Sequence, residues 1–176
     1  ADRFYNNPLL HWVILHTNDI TDARFGWPLS TNNLFKYATD KYNNINAPHH
    51  YTDVDGNYVN ATVILNLDAT SNIFNTDNVI TNVTNSGNAY IVARESNSNV
   101  TIKVTDGGFI TGDTITLSGN VAANANITST SVIYGIPVSN FFFEDGENED
   151  KRRIKILKSE YVDAVVAEFT KKLGEV

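Results

Sequence analysis

Val100-Thr101-Ile102-Lys103-Val104-Thr105 places an apolar side chain at every second position, the repeat of a strand with one face buried. Residues 62–67 alternate in the same way, with Val63, Leu65 and Leu67 on one face and Thr62, Ile64 and Asn66 on the other. Tyr90-Ile91-Val92, Thr114-Ile115-Thr116-Leu117 and Val132-Ile133-Tyr134 read as further short strands. Asp106-Gly107-Gly108 and Ser118-Gly119-Asn120 supply turns between them. Asn, Thr, Ser, Val and Ile make up most of this stretch and charges are few. The pattern predicts a small antiparallel β barrel or sandwich over residues 61–140.

The flanks follow a different period. Asn7 can cap a helix that begins at Pro8, because proline's missing N–H would find no partner there anyway. Leu9, Leu10, Trp12, Val13, Ile14 and Leu15 follow, apolar all round, which predicts a mostly buried helix ending at Asn18-Asp19. A second helix is expected after Gly26-Trp27-Pro28-Leu29, capped by Ser30 or Thr31, with Leu34, Ala38 and Tyr42 on one face. Tyr51 to Val59 reads as a β-hairpin closed by Asp55-Gly56. Glu144-Asp145-Gly146-Glu147-Asn148-Glu149-Asp150 reads as a solvated acidic loop. Ile154 and Ile156 alternate with basic residues and predict a strand. Ser159 then caps a helix with Tyr161, Val162, Val165, Val166, Phe169 and Leu173 along one stripe, Glu160 and Asp163 at its positive end and Lys171 and Lys172 at its negative end.

A chain of 176 residues has room for one domain or two small ones. It has no cysteine, which removes disulfides, thiolate metal sites and thiol catalysis. A net charge of −7 with 13 Lys+Arg argues against capture of a nucleic-acid backbone. No apolar run reaches the roughly 20 residues that span a bilayer, and no signal peptide is expected.

Each motif with chemical potential has a simpler reading. His49-His50 with Asp53 and Asp55 has the donor types of a transition-metal site, but adjacent side chains on a strand point to opposite faces. Asp53-Val54-Asp55-Gly56-Asn57 opens like a calcium loop, yet the twelfth position is Ile64 rather than glutamate. Glu144, Asp145, Glu147, Glu149 and Asp150 could supply an acid pair for glycoside hydrolysis, against the reading of a charged surface loop. No metal, cofactor or catalytic constellation is expected. Phe141-Phe142-Phe143, Trp27, Phe35, Tyr37, Tyr42, Tyr161 and Phe169 remain as candidate protein-interface residues, the Phe triplet being either core or anchor.

The run from Ala1-Asp2-Arg3-Phe4-Tyr5-Asn6-Asn7-Pro8 through Trp12 to Asn18-Asp19 and Gly26-Trp27 resembles the second half of a LysM module. Together with Lys41-Tyr42, the Tyr51 to Val59 hairpin and Arg153-Ile154-Lys155-Ile156-Leu157-Lys158 before a helix, it is most similar to the gene product 53 family of baseplate wedge proteins in T-even-type contractile-tailed phages. The similarity covers about residues 1–60 and 148–173. It implies an α+β fold: a LysM-like helix and strand clamp built from residues 1–60 and 141–176, with residues 61–140 as an inserted β domain. It also implies a non-enzymatic structural component of the virion's tail baseplate, assembled in the host cytoplasm. Its partners would be other baseplate wedge proteins and neighbouring wedges in a multi-copy assembly, with no nucleic acid, membrane or small-molecule substrate. The LysM opening strand and its Gly-Asp-Thr-Leu-type turn are missing. A carbohydrate-binding module using Trp27, Tyr37 and Tyr42 as stacking platforms is the alternative.

Overall fold

The computed structural model of the chain describes residues 1–22, 24, 26–69 and 72–174. They form two compact units: one combines Ala1–Thr31 with Gly146–Val176, the other is Asn32–Asp145.

In the first unit, α1 (Asp2–Tyr5) leads to Asn6, whose left-handed φ of 51° ends it. Asn7 then accepts a bond from the Leu9 N–H and opens a 3-10 turn over Pro8–Leu10, which continues into α2 (His11–Thr17). Only Val13 and Ile14 of this apolar run are buried and Leu9 is exposed, so the all-round burial expected from its composition does not occur. The helix is two turns long, and a surface of that size covers one face.

Residues 153–158 form no strand. A side-chain amide takes the place of a neighbouring strand: Lys155 N–H donates to Asn18 Oδ1 at 2.6 Å, and Asn18 Nδ2 donates to Lys155 O at 2.8 Å. Asn148 holds Leu29 with the same two-point clasp, at 2.7 and 3.1 Å. The Tyr5 hydroxyl donates to Leu157 O. The carboxy-terminal helix α5 (Ser159–Gly174) completes the unit.

The second unit opens with α3 (Thr31–Lys41), which begins at the boundary and buries Leu34 and Ala38 at helical spacing. β1 (Pro48–Thr52) pairs antiparallel with β8 (Ile136–Ser139). On its other side, β1 makes one bridge between Thr52 and Tyr58. The turn between these two residues is set by Asp53 Oδ1, which accepts the N–H groups of Asp55 and Asn57, and by Gly56 at φ 84°.

Six strands then close a barrel: β2 (Thr62–Leu67), β3 (Val79–Asn82), β4 (Gly87–Arg94), β5 (Asn99–Asp106), β6 (Thr114–Leu117) and β7 (Asn120–Tyr134), in the order β2-β5-β4-β3-β6-β7 and all antiparallel. Val63, Leu65, Ile80, Ile91, Val100, Ile102 and Ile115 fill the interior and lose all contact with solvent, as period-two alternation requires. A buried polar clip ties two loops of the barrel together. Asn82 Nδ2 donates to Gly108 O at 2.8 Å and to Asp113 Oδ2 at 2.6 Å, while Asn82 Oδ1 accepts the N–H groups of Thr84 and Asn85.

The acidic stretch is a helix rather than a loop. α4 (Asn140–Asp150) starts where Asn140 and Phe141 donate their N–H groups to Ala47 O and Ile45 O, and Ser139 Oγ accepts from Phe142 N–H. The boundary between the units falls inside it.

Candidate functional site

Helix α4 brings Glu144 to the end of α3. The carboxylate is almost wholly buried, and its Oε1 accepts from Lys41 Nζ at 2.7 Å and from the Tyr42 hydroxyl at 2.6 Å. Burial is the largest influence on this carboxyl and works to raise its pKa. The bonds from Lys41 and Tyr42 outweigh it and hold Glu144 below the usual carboxylate range. The bond from Glu144 raises Lys41 in turn. Burial, followed by the same carboxylate, raises Tyr42. An ionised, doubly bonded carboxylate has no proton to donate at neutral pH, so Glu144 does not fit the acid half of a glycosidase pair.

Next to this cluster the aromatic residues of β1 and α4 interlock. Phe143 stacks on His49 at 3.8 Å, and His50 meets Phe143 edge-on. Tyr58 lies 4.2 Å from the His50 ring. The two histidines, expected on opposite faces, bring their Nδ1 atoms to 2.9 Å, because the pairing of β1 with β8 shifts register between Pro48 and His50. Burial, followed by the charge of His49, lowers His50. Among the described residues no group of three or more His, Cys, Asp or Glu is placed to hold a metal. Asp53, the expected companion of the histidines, is occupied with its own turn.

The candidate interface residues fall into two groups. Trp27, Phe35, Phe142, Tyr161 and Phe169 are exposed. Tyr37, Tyr42, Phe141 and Phe143 are half-buried, so the Phe triplet is neither wholly core nor wholly surface. Phe141 approaches Phe35 at 6.1 Å in the second unit. Phe169 stacks on Trp12 at 4.5 Å in the first, above a groove of about 250 Å3 lined by His16, Leu157, Val165 and Lys172. Of the α5 stripe only Val162 is buried. The clasping roles of Asn18 and Asn148 and the partners of Glu144 were missed in the sequence, since each is made across more than 100 residues.

Residues 1–108 match the family described as base plate wedge protein 53. This match runs on from the amino-terminal helices through β5, and so takes in part of the barrel. Over 45 residues the chain is 38% identical to baseplate wedge protein gp53 of Enterobacteria phage T4, a match spanning 26% of this chain and 23% of that protein. The matched stretch is thus under a quarter of that relative's length. No solved structure matches the chain significantly. With more than half of its residues inside the family match, the chain belongs to the base plate wedge protein 53 family, structural components of the phage tail baseplate.

Proposed function

We propose that this protein is a non-enzymatic joint that connects neighbouring wedge subunits as the baseplate assembles. The observation that carries this reading is α5. It spans 16 residues with an apolar stripe, yet Tyr161, Phe169 and Leu173 stay exposed and only Val162 is buried. A short helix gains most of its stability from packing, and exposed aromatics on such a helix are the usual anchors of a protein interface. Trp27, Phe35 and Phe142 add anchors elsewhere on the chain. Different patches on one subunit make heterologous contacts, which close into a ring when the rotation permits. In this scheme the LysM-like clamp expected over residues 1–60 and 141–176, which takes in the unit formed by Ala1–Thr31 and Gly146–Val176, serves to hold protein.

The test replaces Tyr161 and Leu173 together with Asp, at positions already in solvent. The variant should fold with wild-type circular dichroism but leave wedges unjoined in sedimentation velocity and electron micrographs. Rings formed at wild-type yield would remove α5 from the joint.

A further inference from the structure

A cleft of about 220 Å3 lies beside β1 in the Asn32–Asp145 unit, lined among others by His49, His50 and Tyr58 and by Asp106 and Gly107 at the end of β5. Tyr58 packs against His50 yet remains 69% exposed. Burial, followed by the charge of His49, which also lines the cleft, keeps His50 below the usual histidine range. Asp106 is exposed and accepts a bond from the Gly107 N–H of its own turn. Among the described residues no Lys, Arg or His forms an ion pair with it. Lys41, which lines the adjoining cleft, is bonded to Glu144.

We propose that this cleft receives an arginine side chain presented by a partner protein, its guanidinium stacked on Tyr58 and forked onto the Asp106 carboxylate. The chemistry selects arginine over other occupants. A planar cation can stack on an aromatic face and at the same time bond a carboxylate through two parallel N–H groups, which a compact ammonium cannot do. An acidic side chain would be repelled by Asp106, and a neutral one would gain no charge-assisted bond from it. The chain's net charge of −7 favours a basic partner at longer range. This site is separate from the α5 contact. Wedges could join through α5 with the cleft empty, and the cleft could bind arginine in a protein that fails to join wedges.

The experiment titrates the 176-residue chain, labelled with nitrogen-15, with N-acetyl-arginine amide and with the neutral isostere N-acetyl-citrulline amide, up to roughly 50 mM because a single side chain binds weakly. The arginine derivative should give saturable amide shifts confined to residues around Tyr58, Asp106 and Gly107, and citrulline should give none. Asp106→Asn should weaken binding at least about fivefold and Tyr58→Ala about threefold, each variant keeping the wild-type spectrum elsewhere. Absence of saturation, equal binding of citrulline, or undiminished binding by Asp106→Asn would overturn the proposal.

Discussion

Glu144 shows how much one side chain can draw from distant sequence. It closes a contact with Lys41 and Tyr42 across about 100 residues, and its single Oε1 serves both donors. Glu144→Gln removes the charge and weakens both bonds. With Lys41 half-exposed, the expected loss is about 1–2 kcal/mol, read as a lower urea midpoint. The pH dependence follows from the same group. The folded-state pKa of Glu144 is depressed, so its contribution is present above the ordinary carboxylate range and is lost as pH falls through the folded value. His50 is also depressed and acts in the same direction from about pH 6.5 downward, because the folded protein resists its protonation. Lys41 is raised, so its contribution persists below the ordinary lysine range and disappears only at strongly alkaline pH. Urea midpoints should therefore be flat between about pH 7 and 10 and fall on acidification. In Glu144→Gln the fall below about pH 5 should shrink. An unchanged acid limb in that variant would show that the carboxylate is not its source.

At the scale of elements, local pattern and tertiary setting decide different things. Strands β2 and β5 follow directly from alternation, because Val63, Leu65, Val100 and Ile102 have to leave water together. Residues 153–158 have the same alternation, yet Asn18 supplies the pairing that a second strand would have given. Asn18→Ala removes both bonds. The Lys155 amide should then exchange with deuterium at least about tenfold faster, at a stability cost of about 1–2 kcal/mol. Unchanged protection at Lys155 would mean that the clasp does not hold the segment. Helix α4 was hidden for a related reason. Its acidic composition with Gly146 suggests a loop, and the bonds that start the helix come from Ile45 and Ala47, almost 100 residues earlier.

At the scale of the whole molecule, every residue of the main hydrophobic core lies between Tyr51 and Ile127, inside the Asn32–Asp145 unit. The closed ladder leaves the barrel strands no open edge. A fragment of residues 32–145 should accordingly fold alone, with β-rich circular dichroism and one cooperative thermal transition. A disordered spectrum would show that the core does not suffice. The other unit is made from Ala1–Thr31 and Gly146–Val176, two stretches separated by more than 100 residues of sequence. The Asn clasps at Leu29 and Lys155 join them.

Periodicity, caps and turn residues were enough to read β2, β5, β6, α3 and α5, because those signals act within a few residues of one another. The order of the six strands, the shift of register that turns His49 toward His50, and the burial of Glu144 were decided only by tertiary structure. Each depends on which distant segment supplies the hydrogen-bond partner, and residue spacing along the chain does not encode that choice. The aromatic residues proposed as interface candidates can be picked out in the sequence. Which of them stay in solvent was decided by packing within each unit: Phe35 and Phe142 stay exposed in the Asn32–Asp145 unit, and in the other the few elements packed together bury Val162 of α5 and leave Tyr161, Phe169 and Leu173 exposed.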